Sequence, residues 1–280
     1  MALLLAVAGA ILLACVLHYR SLSEENQAAA AYALPTRRSL ARSSLFGPLI
    51  ARLLPNDRPV HTEGRLRADA INIDALRAAP LSRYHRPLAR AKRAFDVTFA
   101  ATLLLFTAPV LIVAAIAVRL SGPGPIFYRQ TRVGHDGRLF TLLKFRSMRV
   151  DAEANGAVWA RTADDRITPA GRFLRRSRID EIPQAFNVLA GSMSFVGPRP
   201  ERPEFTGLLA EKVPHYEERH LVKPGLTGWA QVNYPYGASV EDAAAKLEYD
   251  LYYVQHFSLV LDLCIVVKTL KVALGGEGAR

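Results

Sequence analysis

The apolar positions of this chain fall into two long runs and a series of short amphipathic pieces. The first run, Met1–Tyr19, has no Lys, Arg, Asp or Glu and is long enough to cross a thin hydrocarbon layer as a helix. The second, Val97–Val118, is 22 residues without a charge, about 33 Å as a straight helix. Pro109 lies near its middle, where it removes a backbone donor and forces a bend. Both flanks are basic, with Arg90, Lys92 and Arg93 before the run and Arg119, Arg129 and Arg132 after it. A spanning helix should show charge asymmetry, whereas a segment that enters and leaves by one face should not. The pattern predicts a re-entrant helix pair over 97–118 in preference to a kinked span, with the freed carbonyls satisfied by protein or water.

The remainder, Leu120–Arg280, mixes short strands and helices. Pro125–Tyr128 and Leu139–Leu143 read as strands flanking the turn Gly134–Gly137. Helices are predicted at Ile167–Ser177, Pro183–Leu189, Pro203–Lys212, Val240–His256 and Leu259–Leu274. The last puts Lys268 and Lys271 on one face of an aliphatic helix, a pattern shared by interfacial helices and terminal core helices.

Charge sharpens the picture. Lys plus Arg number 36 against 25 Asp plus Glu, a balance of +11 in 280 residues, and half the residues are hydrophobic. That excludes a disordered chain and implies an anionic partner: nucleic acid, a membrane surface or phosphorylated substrates. Residues 20–93 carry 14 of the cations and only 6 acids, and read as a basic connector near an anionic leaflet or as a solvated arginine-rich linker. No recognition motif supports nucleic acid. A signal peptide, or a lipoprotein box at Leu12–Cys15, would want basic residues before the first run, and there are none. A retained anchor is favoured, and Arg20, Arg37, Arg38 and Arg42 behind it place the rest in the cytoplasm. Cys15 and Cys264 are too few and too far apart for a disulfide scaffold or a cysteine zinc site.

The densest chemistry lies in Gly171–Gln184. Asp180 and Glu181 are adjacent carboxylates just before Pro183, with Arg172, Arg175, Arg176 and Arg178 upstream. Helix capping explains one acid near a helix start but does not need two. Such a pair suits a hard divalent cation, Mg²⁺, held with substrate phosphate oxygens, and an ionised Asp beside it can act as a nucleophile. Lys144-Phe-Arg-Ser-Met148 sets two cations beside an aromatic. Gly197-Pro-Arg-Pro200 fixes Arg199 between prolines, and Lys223-Pro-Gly-Leu-Thr-Gly-Trp229 offers an aromatic able to stack on a base.

In order, Lys92-Arg-Ala-Phe-Asp96, the Pro-broken apolar run, Gln130-x-Arg132-x-Gly134-x-x-Gly137, Lys144–Met148, Asp180-Glu-Ile-Pro-Gln184, Gly197–Pro200 and Lys223–Trp229 resemble the bacterial sugar transferases, the monotopic polyprenyl-phosphate phosphoglycosyl transferases. The resemblance covers about residues 90–274, and Val232–Ser239 looks like the exopolysaccharide-associated subgroup. It implies a membrane-associated α/β fold: a re-entrant helix pair and a small mixed catalytic body with interfacial amphipathic helices. With the first apolar run and the basic stretch behind it, the chain divides into an anchor over 1–19, a connector over 20–89 and a sugar transferase domain over 90–280.

The implied reaction moves a sugar-1-phosphate from a UDP-sugar to undecaprenyl phosphate, releasing UMP at the cytoplasmic face of the bacterial inner membrane. By the same match Asp180 attacks the sugar-bearing phosphate, and Glu181 helps hold Mg²⁺ or assists the incoming lipid phosphate. Arg175 and Arg199, with Lys144 and Arg146, lie near phosphates. Anionic lipid is an expected partner, and homo-oligomerisation stays open. The alternative is a non-catalytic membrane scaffold of a polysaccharide assembly complex. The departures are Ala108-Pro109 where many members have Ser-Pro, with Thr107 or Thr102 as substitute hydroxyls, and a shorter N-terminal region.

Overall fold

The computed structural model describes residue 76 and residues 86–152, 164–235, 237 and 239–275. The expected anchor over 1–19 and nearly all of the connector over 20–89 lie outside them. The charged-then-apolar stretch from Arg86 forms one long helix, α1 (Arg86–Leu120), which continues across Pro109. From Leu88 to Leu120 it is long and apolar enough to cross a membrane. The whole of the 97–118 run lies within this one helix. Pro109 leaves the Leu105 carbonyl without its usual donor. The Thr107 hydroxyl donates instead to Leu103 O at 2.6 Å, its own preceding turn.

The less exposed positions of α1 recur at helical spacing: Asp96, Ala100, Leu103, Leu104, Thr107, Leu111, Ala114, Ala115 and Val118. One face therefore lies on the body along the helix. The opposite face is apolar and bare, with Leu105 and Phe106 each 73% exposed and Ile112, Val113 and Ile116 beside them. An apolar face of this extent needs a non-aqueous neighbour.

After α1, strands β1 (Phe127–Val133) and β2 (Leu139–Phe145) pair as an antiparallel hairpin. They run longer than the sequence pattern suggested, and His135–Gly137 forms the turn between them. Helix α2 (Pro169–Arg176) starts at Thr168, whose hydroxyl accepts from Gly171 N, with proline at the first turn. A single 3₁₀ turn, Ile179–Glu181, leads into α3 (Gln184–Ala190). Next come β3 (Ser194–Val196), α4 (Pro203–Lys212), a 3₁₀ segment Tyr216–Leu221 and β4 (Gly225–Thr227), which pairs parallel with β3. The C-terminal part is α5 (Trp229–Asn233), α6 (Val240–His256) and α7 (Leu259–Gly275). Ser239 and Asp242 form a capping box at the start of α6.

Three apolar clusters hold this α/β body together. The largest joins β3, α4, α6 and α7 through Val196, Leu209, Leu247, Leu251, Tyr253 and Ile265. Ala100 of α1 packs with Leu142, Ala185, Val188 and Met193, and Ala114 and Val118 pack with Phe145 and Leu174. The α1 helix is thus seated at two places on the same body. A buried ionic knot fastens its N-terminal half: Lys92 Nζ lies 2.9 Å from Asp96 and 2.7 Å from Asp262 of α7. Helix α7 also buries Ile265 and Val266, so that face is a core face. Lys268 turns inward to Asn233 Oδ1 at 2.8 Å, while the Lys271 side chain is outside the described residues.

Candidate active site

Strand alternation builds the floor of the site. Tyr128, Gln130 and Arg132 share one face of β1, and register sets Lys144, Leu142 and Phe140 opposite them. Arg132 Nη2 donates to Gln130 Oε1 at 2.6 Å, and Gln130 Nε2 donates to the Tyr128 hydroxyl at 3.1 Å. Lys144 Nζ sits over the Tyr128 ring, 5.2 Å from its centroid.

The acidic pair is delivered by a strained turn. Helix α2 ends at Arg176, and Arg178 takes a left-handed conformation at φ 56. That conformation is unfavourable for a side chain with a Cβ, and it reverses the chain two residues before Asp180. Asp180 is 7% exposed. Burial and the neighbouring Glu181 push its carboxyl up to about 7, against the pull of Lys144, Arg175 and Arg199. Burial would also raise Glu181, but the Arg199 guanidinium outweighs it and holds that carboxyl at about 2. Arg199 Nη1 donates to Glu181 Oε2 at 3.2 Å, and Nη2 donates to Oε1. Burial and the nearby Arg132 bring Lys144 down to about 8.

Arg132, Leu142, Lys144, Glu181, Gln184, Arg199 and Pro200 line a solvent-open cleft of about 230 Å³. Arg175 Nη1 is buried without a hydrogen-bond partner, as is Arg132 Nε. Buried guanidinium donors left open beside paired carboxylates make a receptor for an anionic group.

The family model for bacterial sugar transferases matches residues 88–276, two thirds of the chain. The chain belongs to the bacterial sugar transferase family. A UDP-N-acetylgalactosamine-undecaprenyl-phosphate N-acetylgalactosaminephosphotransferase of Aeromonas hydrophila is 44% identical over 189 residues, 68% of this chain and 45% of that protein. A UDP-glucose:undecaprenyl-phosphate glucose-1-phosphate transferase of Xanthomonas campestris pv. campestris is 45% identical over 192 residues, 68% of this chain and 40% of that protein. An exopolysaccharide production protein of Rhizobium leguminosarum bv. phaseoli is 42% identical over 185 residues, 64% of this chain and 92% of that protein. The chain thus spans less than half the length of the first two relatives.

Within this member of the family the structure gathers Asp180, Glu181, Lys144 and Arg199 in one place, and the charge of Arg175 acts on Asp180. Arg146 stands apart. Its guanidinium donates to Val118 O at 3.0 Å, Gly122 O at 2.8 Å and Pro123 O at 2.6 Å, fastening the end of α1. β2 ends at Phe145, so the alternation that sends Lys144 to the cleft does not carry to Arg146.

Lys223 and Trp229 also do structural work. Lys223 and Arg93 donate to carbonyls at the end of α3: Gly191 O at 2.8 Å, and Val188 O and Leu189 O at 2.6 Å each. Trp229 stacks on Tyr252, and Lys268 Nζ lies 4.4 Å from its ring centroid, so the ring is engaged within the body instead of offered to a base. Sequence reasoning gave no site role to Arg132 or Gln184. Arg132 carried a signal in the Gln130-x-Arg132 alternation, whereas Gln184 carried none beyond its place after Pro183.

Proposed function

We propose that this chain transfers a sugar-1-phosphate from a UDP-sugar to undecaprenyl phosphate, with release of UMP, as a first step of exopolysaccharide or related glycan assembly. The observation that carries the reading is the pair Asp180–Glu181, pushed to opposite ionisation ranges beside Lys144, Arg175 and Arg199. The names of the Aeromonas and Xanthomonas relatives support the class of donor and acceptor, and they name different sugars.

Asp180 Oδ attacks the sugar-bearing phosphorus, and the P–O bond to UMP breaks. An oxygen of undecaprenyl phosphate then attacks the acyl-phosphate and frees the Asp180 carboxylate. Arg199, Arg175 and Lys144 offset the charge spreading over the phosphate oxygens, and Arg132 and Gln184 complete the cleft. Among the described residues no cluster of three or more His, Cys, Asp or Glu could hold a metal alone. Mg²⁺ is commonly held by one or two carboxylates with substrate phosphates. Asp180, which receives no hydrogen bond among the described residues, fits that demand, with Glu181 beside it. When bound, the ion would neutralise phosphate charge.

The bare face of α1 supports seating in the inner leaflet. Contact of both its halves with one body, together with basic residues at either end, supports re-entry from the cytoplasmic side, near anionic lipid. The test is UMP release from detergent-purified protein given undecaprenyl phosphate, Mg²⁺ and a panel of UDP-sugars, with Asp180→Asn alongside. Release with one sugar, lost in the variant, is the expected result. Equal release by Asp180→Asn removes Asp180 as nucleophile, and a protein inert across the panel that still supports polysaccharide assembly in cells points to a scaffold.

A further inference from the structure

The Gly197-Pro-Arg-Pro200 loop is tethered at three successive carbonyls. Pro198 O accepts from Gly225 N at 2.9 Å, Arg199 O from Arg219 Nη2 at 2.9 Å, and Pro200 O from Arg132 Nη1 at 3.1 Å. The first tether is backbone, and the third comes from a residue that itself lines the cleft. Arg219 does not line it. It is 6% exposed and held by Asp250 Oδ2 at 2.7 Å and the Tyr216 hydroxyl at 2.6 Å. Asp250 and Tyr216 are themselves 2% and 3% exposed.

A buried ion pair is weak evidence for stability, because desolvating two charges offsets most of their attraction and an apolar pair would pack as well. This one even leaves Arg219 Nε without a partner. What an apolar pair cannot do is donate to a backbone carbonyl from a fixed direction. Arg199 precedes Pro200, which already restricts its backbone. Anchoring its carbonyl fixes the remaining peptide orientation, and with it the line along which the side chain reaches Glu181.

We propose that Arg219, held by Asp250 and Tyr216, is a positioning residue that sets the Arg199 guanidinium against Glu181 and the substrate phosphate. The inference rests on the transferase reading above. Arg219 touches neither the acidic pair nor the cleft, so its whole effect on turnover must pass through Arg199.

That requirement gives a double-mutant cycle with Arg199→Lys, Arg219→Lys and the double variant, read as kcat/KM for UMP release. Lysine at 219 keeps the charge but cannot reach the Arg199 carbonyl, Asp250 and Tyr216 together. Arg219→Lys is expected to lower kcat/KM about tenfold, with the double variant no worse than Arg199→Lys alone. Losses that multiply would show that Arg219 acts independently and would overturn the proposal. So would an Arg219→Lys enzyme with wild-type kcat/KM. If Arg219→Lys melts below the assay temperature, Asp250→Asn, which keeps volume and one acceptor, takes its place with the same two outcomes. A wild type without UMP release defeats the transferase reading itself, whereas an Arg199→Lys variant as active as wild type leaves that reading standing and overturns the positioning proposal alone.

Discussion

Arg199 lays its guanidinium across both oxygens of Glu181 and donates no hydrogen bond to Asp180, the residue next in line. Two carboxyl groups one residue apart thereby occupy different electrostatic worlds. Glu181 is kept ionised, held at about 2, whereas Asp180, buried and facing that charge, rises to about 7. Groups driven apart in this way take different roles. Asp180 has the acceptor oxygens free to bond phosphorus or a cation, and Glu181 serves to hold Arg199 in line.

The first consequence is a difference between two isosteric changes. Asp180→Asn removes the attacking oxygen's charge and should lower kcat for UMP release by about a thousandfold or more. Glu181→Gln keeps an oxygen for Arg199 but loosens the fork, and should cost about ten- to a hundredfold, partly in KM. Steady-state kinetics with the donor identified in the panel would decide it. Comparable losses in both variants would argue against the division of roles.

The pH profile should be narrow. Activity needs Asp180 without its proton and Lys144 with one, and these groups sit at about 7 and about 8. kcat/KM should rise as pH climbs through about 7 and fall beyond about 8, a bell with closely spaced limbs. Added divalent cation favours the Asp180 carboxylate and should move the acid limb to lower pH, leaving the basic limb in place. A profile flat from pH 6 to 9 would contradict this.

Stability should respond in the opposite sense to the usual carboxylate. The Asp180 carboxyl binds its proton more tightly folded than unfolded, so ionising it costs the fold. The penalty is absent below about 4, grows to about 7 and is constant above. Asp180→Asn should therefore stabilise the fold at pH 8 by on the order of a few kcal/mol, seen as a higher melting temperature, and have little effect at pH 4. Thermal melts in detergent at the two pH values check it. A variant that is dead in the assay yet more stable at pH 8 would mark Asp180 as a residue kept for chemistry.

The legible and illegible parts of this fold divide on physical lines. Helices α4 and α6 match their predicted limits, because proline at a first turn and a Ser–Asp capping box are local signals. The acidic pair was legible because two adjacent carboxylates exceed what a helix start needs. Contacts distant in sequence were not. Lys92 meets Asp262 across 170 positions, and no local pattern announces that knot. Trp229 looked available for stacking because Tyr252 and Lys268, which engage it, come from later helices. The packing that seats α1 before and after Pro109, through Ala100 and through Ala114 and Val118, is likewise made with residues distant in sequence.

Lys144 and Arg146 show the same limit two residues apart, and substitution separates them. Lys144 is in the cleft, so Lys144→Met should raise KM for the UDP-sugar and erase the basic limb of the pH profile. Arg146 instead satisfies the carbonyls of Val118, Gly122 and Pro123 where α1 ends, and favours the negative end of that helix. Arg146→Met leaves those carbonyls unpaired and should destabilise the protein by about 2–4 kcal/mol, with KM unchanged in the folded fraction. Melting curves and Michaelis kinetics on the two variants test this together. A raised KM with an unchanged melting temperature in Arg146→Met would return Arg146 to the phosphate site, because a residue tied only to the end of α1 cannot alter substrate affinity without loosening the fold.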